Sequence, residues 1–250
     1  MDLKLSITMI LVFVLSSGWA EAATFETKDD FTLTLPDEWV EIPREVLNQF
    51  EAALLEASQG KNQQKYEYGY QLNSAKNWLE YPYILVQVNR TGRVPEGQLT
   101  QYEKIEAGFD QGLKQAEDAL NGVISGGRQG SVLYDEVNHI LWSGLTMNVT
   151  GFGEIKGTVA IKLTEFGFIQ VMGYADAISF SHYSAIFKEA VNTLVVAEEY
   201  QYKPRITDNA PVIGGINLGR TAIAALIGAI IGGVFGLAAF LLKKRQAGKS

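Results

Sequence analysis

Phe31, Leu33 and Leu35 alternate with Thr32 and Thr34, and Pro36-Asp37 stops the run. A period of two puts the apolar side chains on one face, so the segment predicts a half-buried strand. Trp39, Val40 and Ile42 resume an extended course up to Pro43. The period then changes. From Arg44 to Ser58, Leu47, Phe50, Leu54 and Ala57 fall on one side of a helix that Gly60 and Asn62 end. Tyr66, Tyr68, Tyr70 and Leu72 alternate with Glu67, Gly69 and Gln71 and predict a strand; Ile84, Val86 and Val88 predict another after Pro82. Thr100 and Glu103 form a capping-box pair at the head of a long helix, whose Tyr102, Ile105, Phe109, Leu113, Ala116 and Leu120 share a face. Gly108 and Gly112 weaken it by about 1 kcal/mol each relative to Ala, which points to close packing there.

Beyond the loop Ser125-Gly126-Gly127 the pattern becomes that of strands. Val132 and Tyr134 face one way, and Leu141, Leu145, Met147 and Val149 alternate through the next strand. Val159, Ile161 and Leu163 mark a third. Phe168 to Tyr174 is apolar on both faces, as a central strand should be. The connections at Asp135–Asn138, Gly151–Gly153 and Thr164–Gly167 are short, so neighbouring strands are antiparallel. A last helix is expected from Phe180 to Ala197, burying Tyr183, Ile186, Phe187, Ala190 and Leu194. The class is α+β, an antiparallel sheet covered by helices.

The opening Phe31-x-Leu33-x-Leu35-Pro36-x-x-Trp39, the strand meander and the closing amphipathic helix resemble the PsbP-like family. That family includes extrinsic photosystem proteins and many exported bacterial proteins. The resemblance covers roughly residues 24–200. It implies an α/β/α sandwich acting as an accessory or binding module, and it brings no catalytic motif. The long helix from Thr100 to Leu120 reads as an insertion relative to compact members.

Both ends point to export. Lys4 precedes an apolar stretch from Leu5 to Leu15, and Ala20-Glu21-Ala22 supplies a small-x-small cleavage triplet. This is the order of a secretory signal peptide, cut after Ala22. At the other end, Thr221 to Leu242 carries no charge and is followed by Lys243, Lys244 and Arg245. Those residues as a helix would span about 33 Å, enough to cross a hydrocarbon core. The basic cluster keeps the C-terminus cytoplasmic and the preceding domain outside, in the periplasm or an equivalent space. The expected organisation is a signal peptide at 1–22, an exported domain at 23–200 and a flexible tether at 201–217. A membrane helix at 218–242 and a cytoplasmic tail at 243–250 complete it. Ala224, Gly228, Gly232 and Gly236 recur every four residues in the span, a spacing that lets two helices pack closely as a homodimer.

Charge narrows the partners. Residues 23–217 keep 15 of the 21 basic and 26 of the 28 acidic residues, a net −11 that argues against nucleic acid and anionic lipid. The chain has no cysteine, so the exported domain stands without disulfides, thiol catalysis or thiolate zinc sites. His139 and His182 are the two histidines and neither has a ligand-spaced carboxylate or second histidine. Asp135-Glu136 suits a hairpin turn, and no calcium-loop pattern surrounds it. Gly126-Gly127-Arg128-Gln129-Gly130 is a weak anion cradle, and no nucleophile elbow or cofactor motif is present. Asn89-Arg90-Thr91 and Asn148-Val149-Thr150 match the glycosylation acceptor pattern, which matters only in a eukaryotic host.

Aromatics are the stronger signal. Tyr66, Tyr68, Tyr70, Trp78, Tyr81 and Tyr83 crowd one stretch. They form either a partner surface or the edge of the core, with Trp78 and Tyr81 the better surface contributors because they sit in a loop. The chain is therefore expected to be a membrane-tethered binding or accessory module without catalytic activity or cofactor. The alternative is an enzyme or small-ligand carrier whose site is assembled from scattered residues.

Overall fold

The computed structural model describes residues 22–57, 64–120 and 123–209. Ala20, the predicted span with its Ala224, Gly228, Gly232 and Gly236 face, and Lys243, Lys244 and Arg245 lie outside those residues. Among the described residues no helix is long and apolar enough to cross a membrane.

An eight-stranded antiparallel sheet forms the middle layer. Its strands run in the order β3 (Trp39–Glu41), β4 (Tyr68–Leu72), β5 (Tyr83–Asn89), β10 (Gly167–Asp176), β9 (Gly153–Thr164), β8 (Ile140–Val149) and β6 (Ile124–Gln129), and β7 (Leu133–Asp135) pairs with the start of β8. β10 occupies the centre, as its apolar character on both faces predicts. Alternation along it is strict. Phe168, Met172 and Tyr174 enter one core with α1 (Arg44–Ala57) and α2 (Tyr102–Leu120), whereas Ile169, Val171 and Ala175 enter the other with α3 (Phe180–Asn192). A three-stranded sheet, β1 (Ala22–Glu26), β2 (Phe31–Pro36) and β11 (Val195–Val196), lies on the α3 side. Here the structure adds to the single sheet expected from the sequence.

The Phe31-to-Trp39 motif builds that second core. Phe31, Leu33, Leu35 and Trp39 are all buried there, and the Trp39 indole stands edge-on to Tyr183 and Phe187 of α3. Trp39 thus joins the sheet to the helix above it. α3 packs so closely that a Cβ on Gly173 of β10 would lie 2.2 Å from Phe187 Cγ.

Four local expectations are corrected. α3 ends at Asn192, not Ala197, because β-branched Val195 and Val196 pair with Thr32 and Phe31 on the open edge of β2. The Ser125-Gly126-Gly127 stretch is part of strand β6, with its register shifted between Ser125 and Arg128. A glycine fits where α2 presses down, since a Cβ at Gly127 would meet Leu113 at 3.3 Å. The capping box does not form. Thr100 Oγ1 donates to the Gly97 carbonyl, α2 starts at Tyr102, and the Gln101 carbonyl accepts from Lys104 and Ile105 N–H. Tyr102 of the expected apolar face is exposed, while Ile105, Phe109 and Leu113 are buried. Finally, the strand expected from Tyr66 begins at Tyr68, so Tyr66 faces the opposite core from Tyr68 and Tyr70.

The strands give the domain two ends. At one lie the Thr164–Gly167 turn, the β7–β8 turn and Arg93; at the other lie the loop before Tyr83 and the turn after Asp176. β10 separates them by about 33 Å, ten residues at roughly 3.3 Å each.

Candidate functional site

Burial sorts the six aromatics. Tyr66, Tyr70 and Tyr83 are fully buried and Tyr68 is 6% exposed, so these four are core residues and not the surface patch the sequence left open. The cause is geometric. β4 and β5 lie inside the sheet, covered on both faces, and a tyrosine there has no outward side. Tyr66 packs on Phe50, Tyr70 on Phe25 and Tyr83 on Tyr174, at ring separations of 5.6, 4.8 and 5.3 Å. Burial pushes the hydroxyls of Tyr66, Tyr70 and Tyr83 well above the usual tyrosine range. Tyr68 is pushed up to about 12, by burial and by its 2.7 Å bond to Asp29.

Tyr81 and Trp78 differ. Tyr81 is half-buried and stacks on Tyr83 at 5.2 Å, its ring edge meeting Phe152. Trp78 is 38% exposed. It stands on the connection between β4 and β5, beside a depression of about 340 Å³ lined by Val40, Leu72, Asn73, Lys76 and Asn77.

This loop is braced from below. Leu79 is fully buried and holds φ 62°, a left-handed conformation that a branched residue adopts only under strong constraint. The constraint is Gln71, itself 3% exposed. Its Oε1 accepts the Leu79 N–H at 2.6 Å and its Nε2 donates to the Asn77 carbonyl at 3.2 Å. Glu80 completes the brace by accepting the Lys76 and Asn77 N–H groups at 3.0 and 3.1 Å. Trp78 is therefore presented on a fixed backbone. Large apolar area with little left to order on binding is what a recognition residue needs. The sequence flagged Trp78 but gave no sign of Gln71, whose role appears only when β4 and the loop are side by side.

The second polar cluster lies at the opposite end. Arg93, 12% exposed at its side chain, donates to Glu165 at 3.0 Å, to both Asp208 oxygens at 2.5 and 2.6 Å and to the Lys203 carbonyl at 2.8 Å. Its guanidinium also lies over the Tyr202 ring, 4.3 Å from the centroid. Arg205 adds a 2.5 Å bond to Glu165. The Tyr202 hydroxyl donates to Asp208 and accepts the Glu96 N–H; Glu96 in turn meets Tyr134 and His139. Arg93 holds the Asp208 carboxyl down to about 2. The segment expected to be a flexible tether from Gln201 is thus docked through Asp208, because Tyr202 and Asp208 are both buried in this network. Its members are separated by up to 115 residues, so no local pattern could have shown it.

The remaining candidates are structural ties. His139 packs its ring against Tyr202 at 5.0 Å, and His182 is exposed on α3. Asp135 caps its own turn, accepting the Val137 and Asn138 N–H groups at 3.0 Å. The glycine stretch at 126–130 holds no free cradle, since the Gly127 N–H donates to Glu117 at 2.7 Å and the Gly130 N–H to Gly144. Among the described residues no group of three His, Asp or Glu side chains is placed to hold a metal.

No family model matches the chain, and no curated protein matches it. Among solved structures it is similar to the solution structure of cyanobacterial PsbP, CyanoP, from Synechocystis sp. PCC 6803. The two share 12% identity over 72% of this chain and 95% of that one, with a TM-score of 0.47.

Proposed function

We propose that the chain is an extracytoplasmic accessory module, held at the membrane by its C-terminal segment, that binds a protein partner without catalysing a reaction. The observation that carries this reading is Trp78, an exposed indole on a loop fixed by the buried Gln71 and the left-handed Leu79. The titratable groups of the described residues support it, because the best-placed ones serve as ties within the fold. The net −11 of residues 23–217 favours a partner with a neutral or basic face.

Trp78→Ala should weaken partner capture by about thirtyfold, the loss of roughly 2 kcal/mol expected of a central aromatic anchor. The assay is crosslinking in native membranes followed by quantitative recovery, with Val195→Ala, 59% exposed on β11 of the small sheet, as control. Equal recovery of the same partner by wild type and Trp78→Ala would remove the Trp78 surface from the proposal. A small molecule retained by the native protein in mass spectrometry, and lost in Trp78→Ala, would favour the ligand-carrier alternative. Self-association adds a separate outcome. Gly232→Leu should weaken two-helix association in a membrane assay and Val234→Leu should not, because the bulky side chain separates backbones only on the small-residue face.

A further inference from the structure

We infer that the end of the domain carrying Arg93, the β7–β8 turn and the 206–209 turn rests on the lipid bilayer itself. The inference builds on the membrane-tethered reading and adds which surface meets the lipid. Three observations converge.

The first is where the chain leaves. Residues 201–208 are locked to the domain by Arg93, Tyr202 and Asp208, so the exit point at Asn209 is fixed and belongs to this end. The second is the length that remains. Eleven residues, 210–220, separate this exit from the apolar run at Thr221, and they include Gly214, Gly215 and Gly219. Eleven residues behaving as a flexible chain would have an end-to-end distance of about 20 Å. The exit end is thereby held close to the bilayer, at an effective concentration in the millimolar range. The opposite end, about 33 Å away along β10, is not.

The third is what this end exposes. Ile206 is fully exposed, Val137 is 86% exposed and Leu133 is 63% exposed. They flank the lock: Leu133 and Val137 bracket Tyr134, whose hydroxyl bonds Glu96, and Ile206 lies two residues before Asp208. An exposed Ile or Val tip gains by entering the interfacial layer, and the exposed Lys203 on the same segment can reach the phosphate level. Such contacts are too weak to hold a free domain on a membrane. Tethering makes them sufficient. Asp29, Asp30, Glu198 and Glu199 lie toward the small sheet at the same end, and Asp135 and Glu136 stand in the β7–β8 turn itself. The contact is therefore apolar in origin, and phosphatidylcholine should support it better than phosphatidylglycerol.

The chain has no cysteine, so single cysteines introduced by Val137→Cys, Ile206→Cys and Ile178→Cys can each carry one nitroxide label. Ile178, 94% exposed, follows β10 at the far end and serves as reference. The full chain would be reconstituted in phosphatidylcholine vesicles, and accessibility to lipid-soluble oxygen and water-soluble nickel chelate measured. Labels at 137 and 206 should gain several-fold in the oxygen-to-nickel ratio relative to position 178, and Ile206→Glu should return position 137 toward the reference. Flotation of the same samples separates the two levels of the argument. Protein that floats with the vesicles while all three labels give the same ratio overturns the lipid-contact face alone. Protein that fails to float overturns the tether, and the contact with it.

Discussion

Gly173→Ala is expected to cost the exported domain about 3 kcal/mol, the upper end for forcing an added methyl into a packed core. The new Cβ would sit 2.2 Å from Phe187 Cγ and 2.5 Å from both Cδ atoms. Neither side can yield easily. Gly173 belongs to the central strand, bonded to β5 and β9 on its two sides, and the Phe187 ring is fixed edge-on by Trp39 at 6.2 Å. For a domain of this size the thermal midpoint should fall by about 6–12 °C. The cause is tested by coupling. In a Phe187→Ala background, itself destabilised by its cavity, the same Gly173→Ala change should cost little. Additive costs in the double variant would show that the penalty lies in the strand backbone and not against the ring.

The second large effect belongs to the lock on the C-terminal segment. Asp208→Ala should destabilise by about 3 kcal/mol, since it leaves the largely buried Arg93 guanidinium short of its main partner while Glu165 remains. Arg93 holds the Asp208 carboxyl at about 2, below its value of roughly 3.9 in an unfolded chain. A depressed carboxyl contributes stability that is complete above about pH 4 and is lost as pH falls toward 2. Wild type should therefore lose urea stability between pH 4 and pH 2 more steeply than Asp208→Asn, which has no proton to take up. A local readout separates the lock from global effects. Arg205, followed by Ile206, is a trypsin site, whereas Lys203 is shielded by Pro204, and in Asp208→Ala cleavage after Arg205 should accelerate before the rest of the domain is digested. Unchanged cleavage after Arg205 would mean that Tyr202 and the Thr164 bridge hold the segment without the ion pair.

Periodicity carried most of the fold. β8, β9, β10 and the apolar faces of α1 and α3 lie where alternation and three-to-four spacing put them, because each is a long element burying one stripe or both faces. Its failures share a cause, since each turns on a tertiary neighbour. β6 reads as a loop until α2 is laid over Gly127, and Val195–Val196 reads as helix until the free edge of β2 is present beside it. The same holds for the candidate site. Trp78 could be singled out from composition and loop position, whereas Tyr68, Tyr70 and Tyr83 could be assigned to the core only once their strands were known to be interior. Gln71 and Arg93 left no local trace at all. Each acts on groups brought to it by the fold, and their residue types are ordinary where they stand.

The antiparallel pairing of β1 with β2 sets Ala22 opposite Pro36, at the end of the domain away from Asn209. The described chain therefore enters the domain at the end that carries Trp78 and leaves it at the end locked by Arg93 and Asp208. On the membrane-tethered reading proposed above, the Trp78 face would be the one directed away from the bilayer.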